Sequence, residues 1–232
     1  NRLVNVIVNK AEGNIIIGSA NGKDAQALTV STGNDKVKGA ITITNYADGS
    51  DNLNEIKVAD KLLATKAITI DNRETDIAVE AGKEITSEDA GVALTSAKDI
   101  VVAGKVDAKT LATFNAGQDF IHNGGAINAA EAVVSAGRNV LLNSGSTVAG
   151  TSASLTAGTS QTLAAGQGYI AEQADYVVDV PRLTASAAKD INLGSSANQL
   201  VNVDVTMAGG DVTIGSGYSK AVTENPVQLQ VV

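Results

Sequence analysis

A phrase of seven residues returns along this chain at a nearly constant interval. Ser96-Ala97-Lys98-Asp99-Ile100-Val101-Val102 comes back as Ala116-Gly117-Gln118-Asp119-Phe120-Ile121-His122, then as Ala136-Gly137-Arg138-Asn139-Val140-Leu141-Leu142. Residues 99, 119 and 139 therefore stand 20 apart. Shorter copies surround Asn14, Asp190 and Asp211, and the last two are 21 apart. A period near twenty residues means a stacked array in which each unit is covered by its neighbours, with no single central core.

Laying the units on one another sorts the side chains into columns. Leu94, Phe114, Val134 and Leu155 share one; Ser96, Ala116, Ala136 and Ala157 share a second, all small. Ile100, Phe120 and Val140 form a third, and Val102, His122, Leu142 and Leu163 a fourth. A third apolar stretch follows in each unit, at Val106, near Ile127 and at Val148. Apolar residues at every second position mean strands with one buried face. Three short strands per unit leave tight corners, where Gly, Ala, Asn and Asp fit.

The chain is accordingly expected to be all-β: a right-handed parallel β-helix with coils of about 20 residues and projecting loops. Residues 1–232 form one solenoid domain in this reading, most regular over 92–166. A β-sandwich also has many short strands, but it needs no equivalent columns at a fixed offset. An α-solenoid conflicts with the Thr-, Val-, Ile- and Gly-rich text. At the corners, Asn14, Asp99, Asp119, Asn139, Asp190 and Asp211 form one column, read as a structural turn ladder bonding to nearby backbone amides.

Composition narrows the partners. Aromatic residues are only 3%, which rules out a core built on large rings and suits a narrow aliphatic interior. The absence of cysteine excludes disulfides and thiolate metal sites. A net charge of −8 and four arginines argue against nucleic acid as a partner. No apolar run reaches the length of a transmembrane helix. The chain opens on the strand-like Asn1–Val8, with no signal peptide, and closes on the similar Val227–Val232. Neither end carries a polar cap, so the sequence reads as a piece of something longer or as a unit whose ends pair with neighbours.

Two stretches exceed the period and are expected to project from the rod, near 45–55 and 166–182. Asp48, Asp51 and Glu55 in the first, with Asn52 and Asn54, supply the hard oxygens calcium prefers, and calcium is the only cofactor considered. Their spacing lacks the sixth-place glycine of an EF-hand, and a solvated acidic loop is the simpler reading. Tyr46, Tyr169 and Tyr176 fall in or beside the two excesses and are the candidates for partner contact. His122 is the single histidine. It occupies an inward column, and with no second His and no Cys it makes no ordinary zinc site. The Asp column has no clustered acidic partner of the kind glycan-cleaving enzymes use, so no catalytic residue is assigned.

The Ala116–Phe120 and Ser135–Leu141 phrases resemble the repeats of filamentous haemagglutinin-like exoproteins, with their pattern small–Gly–x–Asp/Asn–aliphatic–x–aliphatic. The match covers 92–166, with partial copies at 11–18, 186–194 and 206–215; the family's Asn-Pro-Asn-Gly secretion motif is not present. The resemblance implies a secreted or cell-surface, extracellular β-helical adhesin shaft with no enzymatic activity. Its partner would be a host or bacterial surface receptor or glycan. A filament or surface-layer subunit that self-associates end to end is the alternative, and a polysaccharide-processing enzyme a more distant one.

Overall fold

The computed structural model describes residues 5–7, 15–20, 28–32, 36–46, 55–217 and 228–231. Among them there is no helix; parallel strands stack into a β-solenoid of about eight turns, with coils of about 21 residues. Each regular coil contributes three strand segments, one to each of three faces. In one coil these are Ile100–Val102, Lys105–Ala108 and Leu111–Ala116. In the next two coils the corners are taken so smoothly that Phe120–Ala136 and Val140–Ala157 each run through all three faces.

The alternating text produces this directly. Every second side chain points into the tube and the rest point out, so the strand Ile68–Asn72 buries Ile68, Ile70 and Asn72 and half-exposes the residues between. On the first face the inward column runs Ile56, Ile77, Ile100, Phe120, Val140, Ile170, Ile191. The middle column of the third face runs Ile43, Ile70, Leu94, Phe114, Val134, Leu155, Ala185, Val205. The two phenylalanines meet across a corner, with ring centroids 5.1 Å apart and planes tilted by 55°. Burying one such side chain contributes roughly 1.5–3 kcal/mol, and the columns repeat that gain at every coil.

The small column continues downward as Asn45, Asn72, Ser96, Ala116, Ala136, Ala157 and Ala187. The residue after it turns the corner against the coil before. A Cβ on Gly117 would sit 2.1 Å from the Ala97 carbonyl oxygen, and one on Gly137 equally close to that of Gly117. Those glycines are required by the backbone of the neighbouring coil, whatever their own dihedral angles.

Three expectations are corrected. Leu163 does not continue the column of Val102, His122 and Leu142; Glu172 does. Val148 is 37% exposed and Thr147 is the buried residue of its coil, because Thr147 is the residue that pairs with the inward Ile127, 20 positions earlier. The excess placed at 166–182 lies instead at 158–169. Ile170–Glu172 and Val177–Ala187 are ladder strands of the next coil. The reason is that this step takes 30 residues from Asn139 to Tyr169, where the two steps before it take 20 each. The extra chain follows Ala157 and turns through Gly158, Gly166 and Gly168, all at positive φ. The excess predicted at 45–55 falls almost wholly outside the described residues.

Candidate functional site: a corner ladder, a buried polar node and a surface groove

The corner before the first face carries the expected Asp/Asn column. Asp99 Oδ1 accepts the backbone N–H of Asp119 at 2.8 Å, and Asp119 Oδ1 accepts that of Asn139 at 3.1 Å. Asn139 also donates its side-chain amide to Asp119 Oδ1 at 2.9 Å, and its own Oδ1 accepts the N–H of Gly168 at 2.9 Å. Further up, Asp190 Oδ1 accepts the N–H of Asp211 at 2.9 Å. The side chains of Asp99, Asp119, Asn139 and Asp190 thus accept backbone amides as read, while Asp211 joins the ladder only through its own N–H; Asn14 lies outside the described residues. The ladder has one member that the repeat phrase missed. Asp76 Oδ1 accepts the Asp99 N–H at 2.9 Å. Asp76-Ile77-Ala78-Val79 fits the second half of the phrase but has Arg73-Glu74 in place of the small pair.

Stacking carboxylates one strand apart concentrates negative charge, and Arg138 answers it. Its guanidinium reaches Asp119 Oδ2 at 2.6 Å and Asp99 Oδ1 at 3.3 Å, spanning two coils. Asp99 is nevertheless held above the usual carboxylate range. Burial is the main cause, and the charges of Asp119 and Asp76 add to it against the Asp119 N–H bond and Arg138.

Inside the tube lies a polar node. His122 Nδ1 and Thr147 Oγ1 each stand 2.6 Å from the hydroxyl of Tyr176, and all three side chains are buried. The imidazole and phenol rings meet edge-on at 5.3 Å. Burial pushes the His122 pKa down to about 4, with the Gly124 carbonyl opposing, and raises the phenol of Tyr176 well above its ordinary value. Two coils above His122 in the same column, Glu172 is buried. Its Oε2 accepts the Ser195 N–H and the Asn198 side-chain amide, both at 2.9 Å. Burial raises its pKa against these two bonds. Asn198, fully buried, also accepts the Val178 N–H at 2.8 Å. His122 Nε2 and Glu172 Oε1 have no hydrogen-bond partner. Sequence reading found His122 and its inward position but not Glu172, Thr147 or Asn198; Glu172 falls after the long step, where the offset no longer predicts the column.

Tyr176 is therefore corrected: with no exposed surface it offers nothing to a partner. Tyr169 is half-buried and takes the ladder position of its coil, its N–H 3.4 Å from Asn139 Oδ1. The side chain of Tyr46 lies outside the described residues, as do Asp48 and Asp51. Glu55 pairs with Lys57 at 3.1 Å. Among the described residues no three acidic or histidine side chains gather closely enough to hold a metal ion.

On the outside, the second face and its following corner form a groove of about 410 Å³. Thr86, Glu88, Asp107, Lys109 and Asn128, from three successive coils, line it. Asn128 donates to Asp107 Oδ1 at 2.6 Å, and Lys105 bridges Asp107 and Glu84. Successive coils thus present polar groups at about 4.8 Å spacing along the axis. Comparison with protein-family models, curated proteins and solved structures finds no match to this chain.

Proposed function

We propose that this chain is a segment of the rigid, non-enzymatic shaft of a secreted, cell-surface adhesin of the filamentous haemagglutinin-like kind. The observation that supports this reading is the unbroken parallel stack. Its interior is filled by repeating apolar columns, and its corner is stitched coil to coil by the Asp/Asn ladder. Eight turns at strand spacing make a rod about 38 Å long. Such a rod sets a distance and presents side chains at a fixed pitch, as an attachment stalk requires. The groove from Thr86 to Asn128 and the 158–169 insertion are its contact surfaces, and a surface receptor or glycan is its partner.

Negative-stain electron microscopy with a glycan-array and cell-binding assay tests this reading. Short separate rods that bind a surface glycan or receptor, less tightly once Lys109 and Asn128 are changed to Ala, support it. Turnover of a soluble polysaccharide by the purified chain refutes it. A filament-subunit reading draws on a different observation. Among the described residues, Asn5–Ile7 and Val212–Ile214 each pair on one side only. Head-to-tail copies would continue the ladders, so long ordered fibres at raised concentration move that reading to first place.

A further inference from the structure

We propose that the corner 173–176, which carries Tyr176 into the core, is a proton-released latch: the neutral His122 ring holds it shut and protonation of that ring frees it. The corner itself has few ties. Gln173, Ala174 and Asp175 are exposed, and Tyr176 alone points inward. The Gln173 N–H bonds the Leu142 carbonyl at 2.9 Å, the Tyr176 N–H bonds the Gln173 carbonyl at 3.1 Å, and Ser195 Oγ bonds the Ala174 carbonyl at 2.8 Å. Tyr176 is seated by the burial of its ring and by its hydroxyl, which is shared between His122 Nδ1 and Thr147 Oγ1.

His122 cannot leave in its place, because its strand is paired to Val102 on one side and Leu142 on the other. A neutral imidazole needs one donor and one acceptor partner, and an imidazolium has two donors. Protonation therefore puts a charged N–H at Nε2, where no acceptor exists. Of the groups around the ring only the Gly124 carbonyl favours the charge, and burial outweighs it. Val102 and Leu142 are apolar, Thr147 and Tyr176 are neutral, and Asp175 lies on the exposed side of the corner. Glu172, the carboxylate that acts on Tyr176, holds Ser195 and Asn198 through Oε2, and its unpartnered Oε1 stands two coils from the ring. Swinging the corner outward admits water to the ring at the cost of few backbone bonds.

The direction in pH follows from burial. With the ring at about 4 in the closed node, against 6.5 when open, the latch has full strength above 6.5 and loses it as pH falls toward 4. The full difference is about 300-fold in the opening equilibrium, and about 50-fold is reached by about pH 4.5.

Hydrogen exchange of the amides at 173–178, corrected for intrinsic chemistry, tests this in the whole chain at about pH 7 and about pH 4.5. Wild type should lose protection there by about 50-fold on acidification, while 92–116 stays protected. His122→Leu should abolish the response. Tyr176→Phe should lower protection at both pH values and keep the response. An acid response undiminished in His122→Leu overturns the proposal, as does loss of protection spread evenly along the rod. Should His122→Leu fail to fold, NMR titration of the single histidine in wild type decides: titration near its ordinary value of 6.5 also overturns it.

Discussion

Replacing Asp119 by alanine should cost about 3 kcal/mol, while replacing it by asparagine should cost about 1. The difference comes from what each carboxylate oxygen does. Oδ1 accepts the Asn139 N–H, the Asn139 side-chain amide and Arg138 Nε; Oδ2 takes Arg138 Nη2 at 2.6 Å. Hydrogen bonds to a charged acceptor contribute about 1.5–3 kcal/mol, and a donor stranded in a part-buried site costs about 1–3. Asp119 keeps 15% of its side-chain surface in water and Arg138 keeps Asp99, so the contributions do not simply add. Asparagine retains an acceptor at Oδ1 for the Asn139 N–H and loses mainly the ion pair, which partial exposure makes small. Urea melts followed by far-UV circular dichroism, with the slope checked for a change in cooperativity, read both values. Alanine within about 0.5 kcal/mol of wild type, or alanine and asparagine alike, would show that the ladder is decoration. The same variants should lower the Asp99 pKa, since the Asp119 charge is among the causes that raise it.

Val134→Asp should abolish folding, because Val134 is 2% exposed in the middle of an apolar column and nothing there pairs a charge; an unchanged melting curve refutes the column. Glu172→Gln should stabilise the rod near pH 8 and have little effect near pH 4. The folded-state pKa of Glu172 lies above its ordinary 4.5, so its contribution is favourable below that value and is lost as pH rises through the folded pKa; equal effects at both pH values contradict this. Replacing 158–169 by the Gly-Arg-Asn that turns the preceding corner should leave β-structure content intact and stability within about 1 kcal/mol. Loss of cooperative melting would mean that the insertion is part of the coil.

Between residues 92 and 157 the fold is legible because the coil length hardly changes. Leu94, Phe114, Val134 and Leu155 fall into register by counting alone. Counting fails where a corner changes length. The Gly124-Gly125 corner makes the step from Val106 to Ile127 21 residues long, but the next step returns to 20, so Thr147 and not Val148 comes inward. Beyond Ala157 the long step makes Leu163 look like a core residue and makes Tyr176 and Pro181 look like loop. Pro181 in fact stands within the strand Val177–Ala187, exposed between the rung-forming residues Val180 and Arg182, where a missing N–H costs no ladder bond. The polar node was unreadable for a related reason. His122, Thr147 and Tyr176 come from two inward columns and a corner, joined only by the stacking of coils 29 and 54 residues apart.

The ladder points one way. From Asp76 through Asp99, Asp119 and Asn139, and again from Asp190, the side chain of an earlier coil receives the amide of a later one. A rod assembled from its amino-terminal end therefore carries waiting acceptors at its advancing tip, and each arriving coil brings the matching donor. The finished tip acts as a template for the next turn, so growth is vectorial and pays its loop-closure cost one coil at a time. A chain delivered amino terminus first, as from a ribosome or a narrow export channel, meets a folded seed at every step.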